Sequence, residues 1–189
     1  MSSRIVKYIE GNNVYLKIPA VEDAELLYEG LNQESESTRL RGRQTPVSFS
    51  SVEHALQQPS RQDTYAFFIC LQETDEMIGE VSLLGMESAM NRCAEFQISI
   101  HKSQYFSGGF GTEASELAIE FAFGKLNLNR IQLEVFSTNT RAIAVYEKLG
   151  FVKEGLKRQA YYLDFEYKDL VMMSLLREDY LKKHNMANT

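Results

Sequence analysis

Asn139-Thr140-Arg141-Ala142-Ile143-Ala144-Val145-Tyr146-Glu147-Lys148-Leu149-Gly150-Phe151 is the stretch on which the fold turns. Ala142, Val145, Tyr146 and Leu149 recur at helical spacing, and Asn139 stands where an N-cap belongs. Gly150 is placed to end the helix in the left-handed conformation, and Phe151 to fold back onto the last turn. Immediately upstream, Ile131, Leu133 and Val135 alternate, so residues 131–136 read as a strand feeding that helix. Further back, Ala114, Leu117, Ala118, Phe121 and Ala122 share one helical face, and Gly108-Gly109-Phe110-Gly111 leads into it.

The pattern extends in both directions. Val14–Ile18, Tyr65–Leu71, Met77 to about Gly85 and Asn91–His101 read as strands, the last three as an antiparallel meander. Glu22–Leu31, with Leu26, Leu27 and Leu31 as its apolar stripe, and Phe49–Gln57, with Ser50 or Ser51 near its cap, read as helices. Phe151–Tyr162 and Lys168–Leu176 read as two final strands. Helices interleaved with a mostly antiparallel sheet define an α+β class.

The 189 residues suit one domain, with 44% hydrophobic and 24% charged residues, and such a chain buries roughly 70% of its unfolded surface. A formal net charge of −6 disfavours a nucleic-acid binder and biases weakly toward a cationic substrate. No apolar run approaches a membrane span and none opens the chain as a leader would, so a cytoplasmic protein without a membrane partner is expected. Cys70 and Cys93 are the only cysteines, and His54, His101 and His184 are far apart, so neither a disulfide framework nor a metal site is expected.

Two sites carry chemistry. Between Ser107 and Thr112, three glycines in four residues let the backbone approach a ligand closely, and the following helix offers free N–H groups to an anion. A glycine-rich turn between two elements is the plainer reading, and both remain open from these residues. Neither a P-loop nor a dinucleotide Gly-x-Gly-x-x-Gly is present, although a nucleotide-binding protein stays a third functional reading. The strand around Glu95 is the other site. Alternation puts Cys93, Glu95, Gln97 and Ser99 on one side and Ala94, Phe96, Ile98 and Ile100 on the other, which fits either a wet cleft or an ordinary solvated face.

Taken in order, Ala94-Glu95-Phe96-Gln97-Ile98, Gly109-Phe110-Gly111-Thr112-Glu113-Ala114, Leu126-Asn127-Leu128-Asn129-Arg130-Ile131 and Asn139–Phe151 resemble the GNAT superfamily of acyl-CoA-dependent N-acetyltransferases. The likeness covers about Val14 to Leu176 and lies nearest the branch of ribosomal-protein N-terminal and spermidine acetyltransferases. It implies an α/β/α sandwich with a mostly antiparallel, centrally splayed seven-stranded sheet flanked by helices, as a single domain over residues 1–189. Acceptor-side helices would occupy about 20–60, the acyl-CoA-binding core about 91–151, and a strand pair about 151–176. One position departs from the pattern: Phe106 stands where the diphosphate loop usually opens with Gln or Arg.

The resemblance implies direct acetyl transfer from acetyl-CoA to a primary amine, on a small molecule such as a polyamine or at a peptide N-terminus, with no metal. A non-catalytic acyl-CoA sensor is the alternative. Glu95 would be the base, directly or through water, and Tyr146 the general acid beside the thioester sulfur. The cofactor-binding set would be Gln97, Ile98, Ser99 and Ile100 along the splayed strand, Ser107, Gly108, Gly109, Phe110, Gly111 and Thr112 at the diphosphate, and Asn139, Ala142 and Tyr146 beside the pantetheine arm. The thioester carbonyl would meet a main-chain N–H near Ile98. Cys93 has no identifiable base and is set aside as a nucleophile; His101, at the strand's end, is set aside as an alternative base. Acidic Glu34 and Glu36, then Arg39, Arg41 and Arg43, read as solvated surface in a polar segment. The aromatic run Tyr161–Tyr167 resembles the hairpin that this branch places near the acceptor or at a dimer contact, and a homodimer is the expected assembly.

Overall fold

The computed structural model describes residues 6–32, 45–58, 63–86 and 91–184. The charged run from Glu34 to Arg43 lies outside them. Eight strands form one mixed, open sheet in the order β1-β2-β3-β4-β5-β6-β8-β7. They are β1 (Ile9–Glu10), β2 (Val14–Lys17), β3 (Tyr65–Leu71), β4 (Met77–Leu84), β5 (Cys93–Ile100), β6 (Arg130–Phe136), β7 (Val152–Leu163) and β8 (Glu166–Leu176). Among the described residues five α-helices accompany them: α1 (Ala24–Asn32), α2 (Phe49–Gln57), α3 (Phe110–Gly124), α4 (Thr140–Leu149) and α5 (Arg177–Lys183). The expected α+β class and the seven expected strands are all present. The eighth, β1, is two residues long, below the reach of any periodicity, and is closed onto β2 by Gly11-Asn12-Asn13.

The chain divides into two compact units, Met1–Ser82 with Ile98–Ala118, and Leu83–Gln97 with Ile119–Thr189; β4, β5 and α3 contribute to both. In the first unit, Tyr15, Phe68 and Cys70 are buried together, with Leu27, Leu56 and Met77 packed against them. The helix expected from Glu22 begins as a 3₁₀ turn, Val21–Asp23, because the Asp23 carboxylate accepts from the Ala20 N–H at 2.9 Å and shapes that entry. Leu26, expected in the apolar stripe, is half exposed. Ser48, not Ser50 or Ser51, caps α2: its hydroxyl accepts from the Ser51 N–H at 3.2 Å.

In the second unit β6 is the spine. It pairs antiparallel with β8 along its whole length, from Arg130↔Leu176 to Phe136↔Leu170. On its other edge it pairs parallel with β5 at only three positions, Cys93↔Arg130, Ala94↔Ile131 and Glu95↔Gln132. Both strands continue past that point, to Ile100 and Phe136, while their pairing ends at Glu95↔Gln132. Gly150 ends α4 at φ +109°, and the N–H groups of Gly150 and Phe151 return to the Tyr146 carbonyl at 3.1 and 2.9 Å. The short helix α5 was not foreseen; Tyr180 anchors it against Phe123, ring centroids 5.1 Å apart.

Candidate active site

Glu95 sits on the exposed face of β5 at the last paired position, its carboxylate accepting from the Gln97 Nε2 at 2.9 Å. The expected wet face holds for Glu95 and Gln97 but fails at Ser99. The alternation loses phase after Gln97, and Ser99 is buried at 6% exposure. Its carbonyl lies so near Gly79 of β4 that a Cβ there would come within 2.2 Å, so β5 and β4 are closely seated at this point. Among the described residues the Ser99 hydroxyl finds no hydrogen-bond partner. Ile98 and Ile100 are partly buried.

Tyr146 lies on the other side of the strand. Its ring meets Phe96 edge-on at 6.3 Å and Phe151 at 5.7 Å, and Phe96 and Phe151 themselves lie 6.1 Å apart. Phe96 is buried on the face opposite Glu95, so β5 presents its carboxylate on one face and the tyrosine-bearing helix packs on the other. Desolvation alone pushes the Tyr146 phenol up to about 12, and among the described residues nothing hydrogen-bonds its hydroxyl. It is therefore a protonated donor at neutral pH. Phe96, which alternation places opposite Glu95, is the residue that seats the Tyr146 ring.

Asn139 is the N-cap of α4, its Oδ1 accepting from the Ala142 N–H at 3.1 Å. Capping thus occupies one end of the amide and the Ala142 N–H, leaving the Asn139 Nδ2 without a bond among the described residues. Burial pushes the Cys93 thiol up, despite the opposing effect of Arg130, which keeps it protonated and a poor nucleophile.

The glycine loop belongs to the first unit. The first bond of α3 runs from the Glu113 N–H to the Gly109 carbonyl at 3.0 Å, which leaves the N–H groups of Phe110, Gly111 and Thr112 without intrahelical acceptors. Ser107 and Gly109 have φ of +62° and +84°. The Phe110 ring covers Gly108, where a Cβ would come within 2.8 Å of it, whereas a Cβ at Gly111 would meet Ile100 at an ordinary 3.5 Å. Free N–H groups at a 15-residue helix N-terminus, behind a backbone stripped of side chains, suit a diphosphate.

Two carboxylates border this loop. Glu76 accepts from the Lys102 Nζ and the Tyr105 hydroxyl, each at 2.6 Å, and these two donors hold its carboxyl below the usual range. At Glu113, burial pushes upward but is outweighed by donors from the 12–14 turn, and the net shift is downward. Also in this unit, Leu26, Glu29, Gly30, Asn32, Met77, His101 and Lys102 line a cavity of about 390 Å³. Its lining includes none of the expected catalytic or loop residues. His101 is buried there, packed so tightly on Gly30 that a Cβ would come within 2.3 Å of its Nδ1.

Residues 13–152 match the family model for the acetyltransferase (GNAT) domain, and the chain belongs to that family. Among relatives, the spermidine N(1)-acetyltransferase of Escherichia coli K12 is 35% identical over 109 residues, 58% of this chain and 58% of that enzyme. The chain thus matches little more than half of that relative's length. The spermidine N(1)-acetyltransferase of Vibrio cholerae is 27% identical over 172 residues, 90% of this chain and 98% of that protein. A crystal structure of spermidine N-acetyltransferase from Vibrio cholerae in complex with CoA and spermine superposes with a TM-score of 0.82 at 26% identity, covering 90% of this chain and 99% of that one.

Proposed function

We propose that this protein transfers an acetyl group from acetyl-CoA to a primary amine by direct attack, with a polyamine such as spermidine the first acceptor to test. The observation that carries the reading is the end of β5–β6 pairing at Glu95↔Gln132, with Glu95 exposed on one face of β5 and Tyr146 packed on the other. Direct transfer needs an acceptor for the ammonium proton and a donor to the departing thiolate, and the two faces of β5 carry one each.

An alkyl ammonium has a pKa of about 10.4, so the nucleophile must lose a proton before attack. Glu95, hydrogen-bonded by Gln97, receives it directly or through water. The amine nitrogen bonds to the thioester carbonyl carbon and the C–S bond breaks. Tyr146, kept protonated by its burial, gives its phenolic proton to the departing sulfur and is reprotonated by the second proton that the nitrogen sheds as the amide forms. By family likeness the Ile98 N–H would serve the developing oxyanion, Gln97–Ile100 and Asn139 the pantetheine arm, and the N–H groups at Phe110–Thr112 the diphosphate. Loss of the usual Gln or Arg at Phe106 removes a side-chain contact but none of these backbone donors.

Support for a polyamine comes from relatives named for spermidine and from the negative net charge of −6. An acyl-CoA sensor would need neither a base nor an acid at these positions. Free-thiol release with acetyl-CoA and a panel of polyamines, aminoglycosides, amino acids and N-terminal peptides tests the reading; saturable CoA binding without release would favour the sensor. We also propose a cytoplasmic homodimer joined through β7, the last strand of the sheet, where Val152, Leu156 and Tyr162 are exposed. Sedimentation that finds only monomer would refute it. No helix among the described residues is long and apolar enough to cross a membrane.

A further inference from the structure

The glycine loop does not hold its own shape. Ser107, which is not glycine, sits at φ +62°, a conformation that costs a residue with a Cβ on the order of 1 kcal/mol and persists only where the surroundings impose it. Two carboxylates hold the segments that flank it. Before the loop, Glu76 in the β3–β4 turn takes the Lys102 ammonium and the Tyr105 hydroxyl, and so grips the 3₁₀ turn Ser103–Tyr105. Tyr105 in turn stands edge-on against Phe110, ring centroids 5.9 Å apart. After the loop, Glu113 accepts from the Asn13 N–H at 2.8 Å and the Asn13 Nδ2 at 2.9 Å, fastening the first turn of α3 to the β1–β2 turn. Gly11 makes room for this: a Cβ there would come within 2.4 Å of the Glu113 Oε1.

We propose that Glu76 and Glu113 are positioning residues that clamp the two ends of the diphosphate loop and thereby set the affinity for acetyl-CoA. This rests on the cofactor reading above. Two carboxylates beside an anion site would repel a diphosphate if they were left bare. Here Glu76 is charge-paired with the Lys102 ammonium, and Glu113, which keeps its charge, is engaged by the neutral donors of the β1–β2 turn. Neither residue touches reacting atoms, so losing a clamp should change ground-state binding and leave the chemical step intact.

The test uses E76Q, E113Q and their combination, with G11A as an independent disturbance of Glu113 from the opposite side. Y105F and N13A remove single donors and serve if the glutamine variants fold poorly. Calorimetry gives the CoA dissociation constant, and steady-state kinetics give kcat and both KM values. Each glutamine variant should weaken CoA binding and raise the acetyl-CoA KM by about 5- to 30-fold, with kcat and the amine KM within about 2-fold of the parent. Unchanged CoA affinity in folded E76Q and E113Q would overturn the clamps. So would kcat and both KM values deteriorating together with thermal stability. A parent protein that fails to bind CoA would instead refute the cofactor reading, and the clamps with it.

Discussion

The proposed acid Tyr146 and the proposed base Glu95 make opposite demands on their surroundings, and the two faces of one strand meet both. Tyr146 must stay protonated until a thiolate needs it, and desolvation among Phe96 and Phe151 keeps it so. Tyr146→Phe should lower kcat by about 10²-fold, with the CoA dissociation constant within about 2-fold of the parent's, since only the proton donor is lost. Turnover of the variant equal to the parent's would remove Tyr146 as the acid. Glu95 must accept a proton and is exposed to do so. Glu95→Gln should lose most activity at low pH, where the fewest acceptor amines are neutral, and least as the pH approaches the amine's own pKa. A pH–rate profile of the variant parallel to the parent's would place the base elsewhere. At this scale the sequence was most legible where spacing forces geometry. The cap Asn139, the left-handed Gly150 and the returning Phe151 are dictated by local backbone chemistry and stand as read. Alternation cannot report that Ser99 is buried, because burial depends on what packs against that end of β5 and not on the period of the strand.

Among the elements, β6, β7 and β8 are bound by one polar network. Arg130 on β6 grips Glu154 on β7 through both guanidinium nitrogens, one at 2.8 Å, and Ser174 on β8 donates to the same carboxylate at 2.7 Å. These donors, Arg130 first, pull the Glu154 carboxyl down to about 2. A carboxylate with a depressed native pKa adds stability above its unfolded value of about 4.3, and that stability is lost as the pH falls through about 2. Glu154→Gln should therefore be less stable than the parent by a constant margin above about pH 5, on the scale of up to ~1 kcal/mol for a solvent-screened pair. The margin should close between about pH 4 and pH 2. Chemical denaturation across that range checks it, and a margin that persists at pH 2 would contradict the assignment. Element boundaries inside strong periodic patterns were readable to within about two residues. Helix α5 and strand β1 were not, because seven and two residues are too few for a pattern and their stability comes from distant partners such as Phe123.

For the whole molecule, the sequence disclosed the family and the order of its elements, but not the clamps that hold the loop. Glu113 lies 100 residues from Asn13, and no local pattern reports a contact across that distance. The central claim is that two strand faces divide one direct transfer, with the amine on one side and the departing thiol on the other. Its most direct test is acetyl-CoA turnover with spermidine, following thiol release and identifying the amine product by mass spectrometry. The account predicts one equivalent of N-acetylated amine per thiol released, by sequential kinetics. Ping-pong kinetics with an acetylated protein intermediate, or CoA binding with no amine in the panel acetylated, would contradict it.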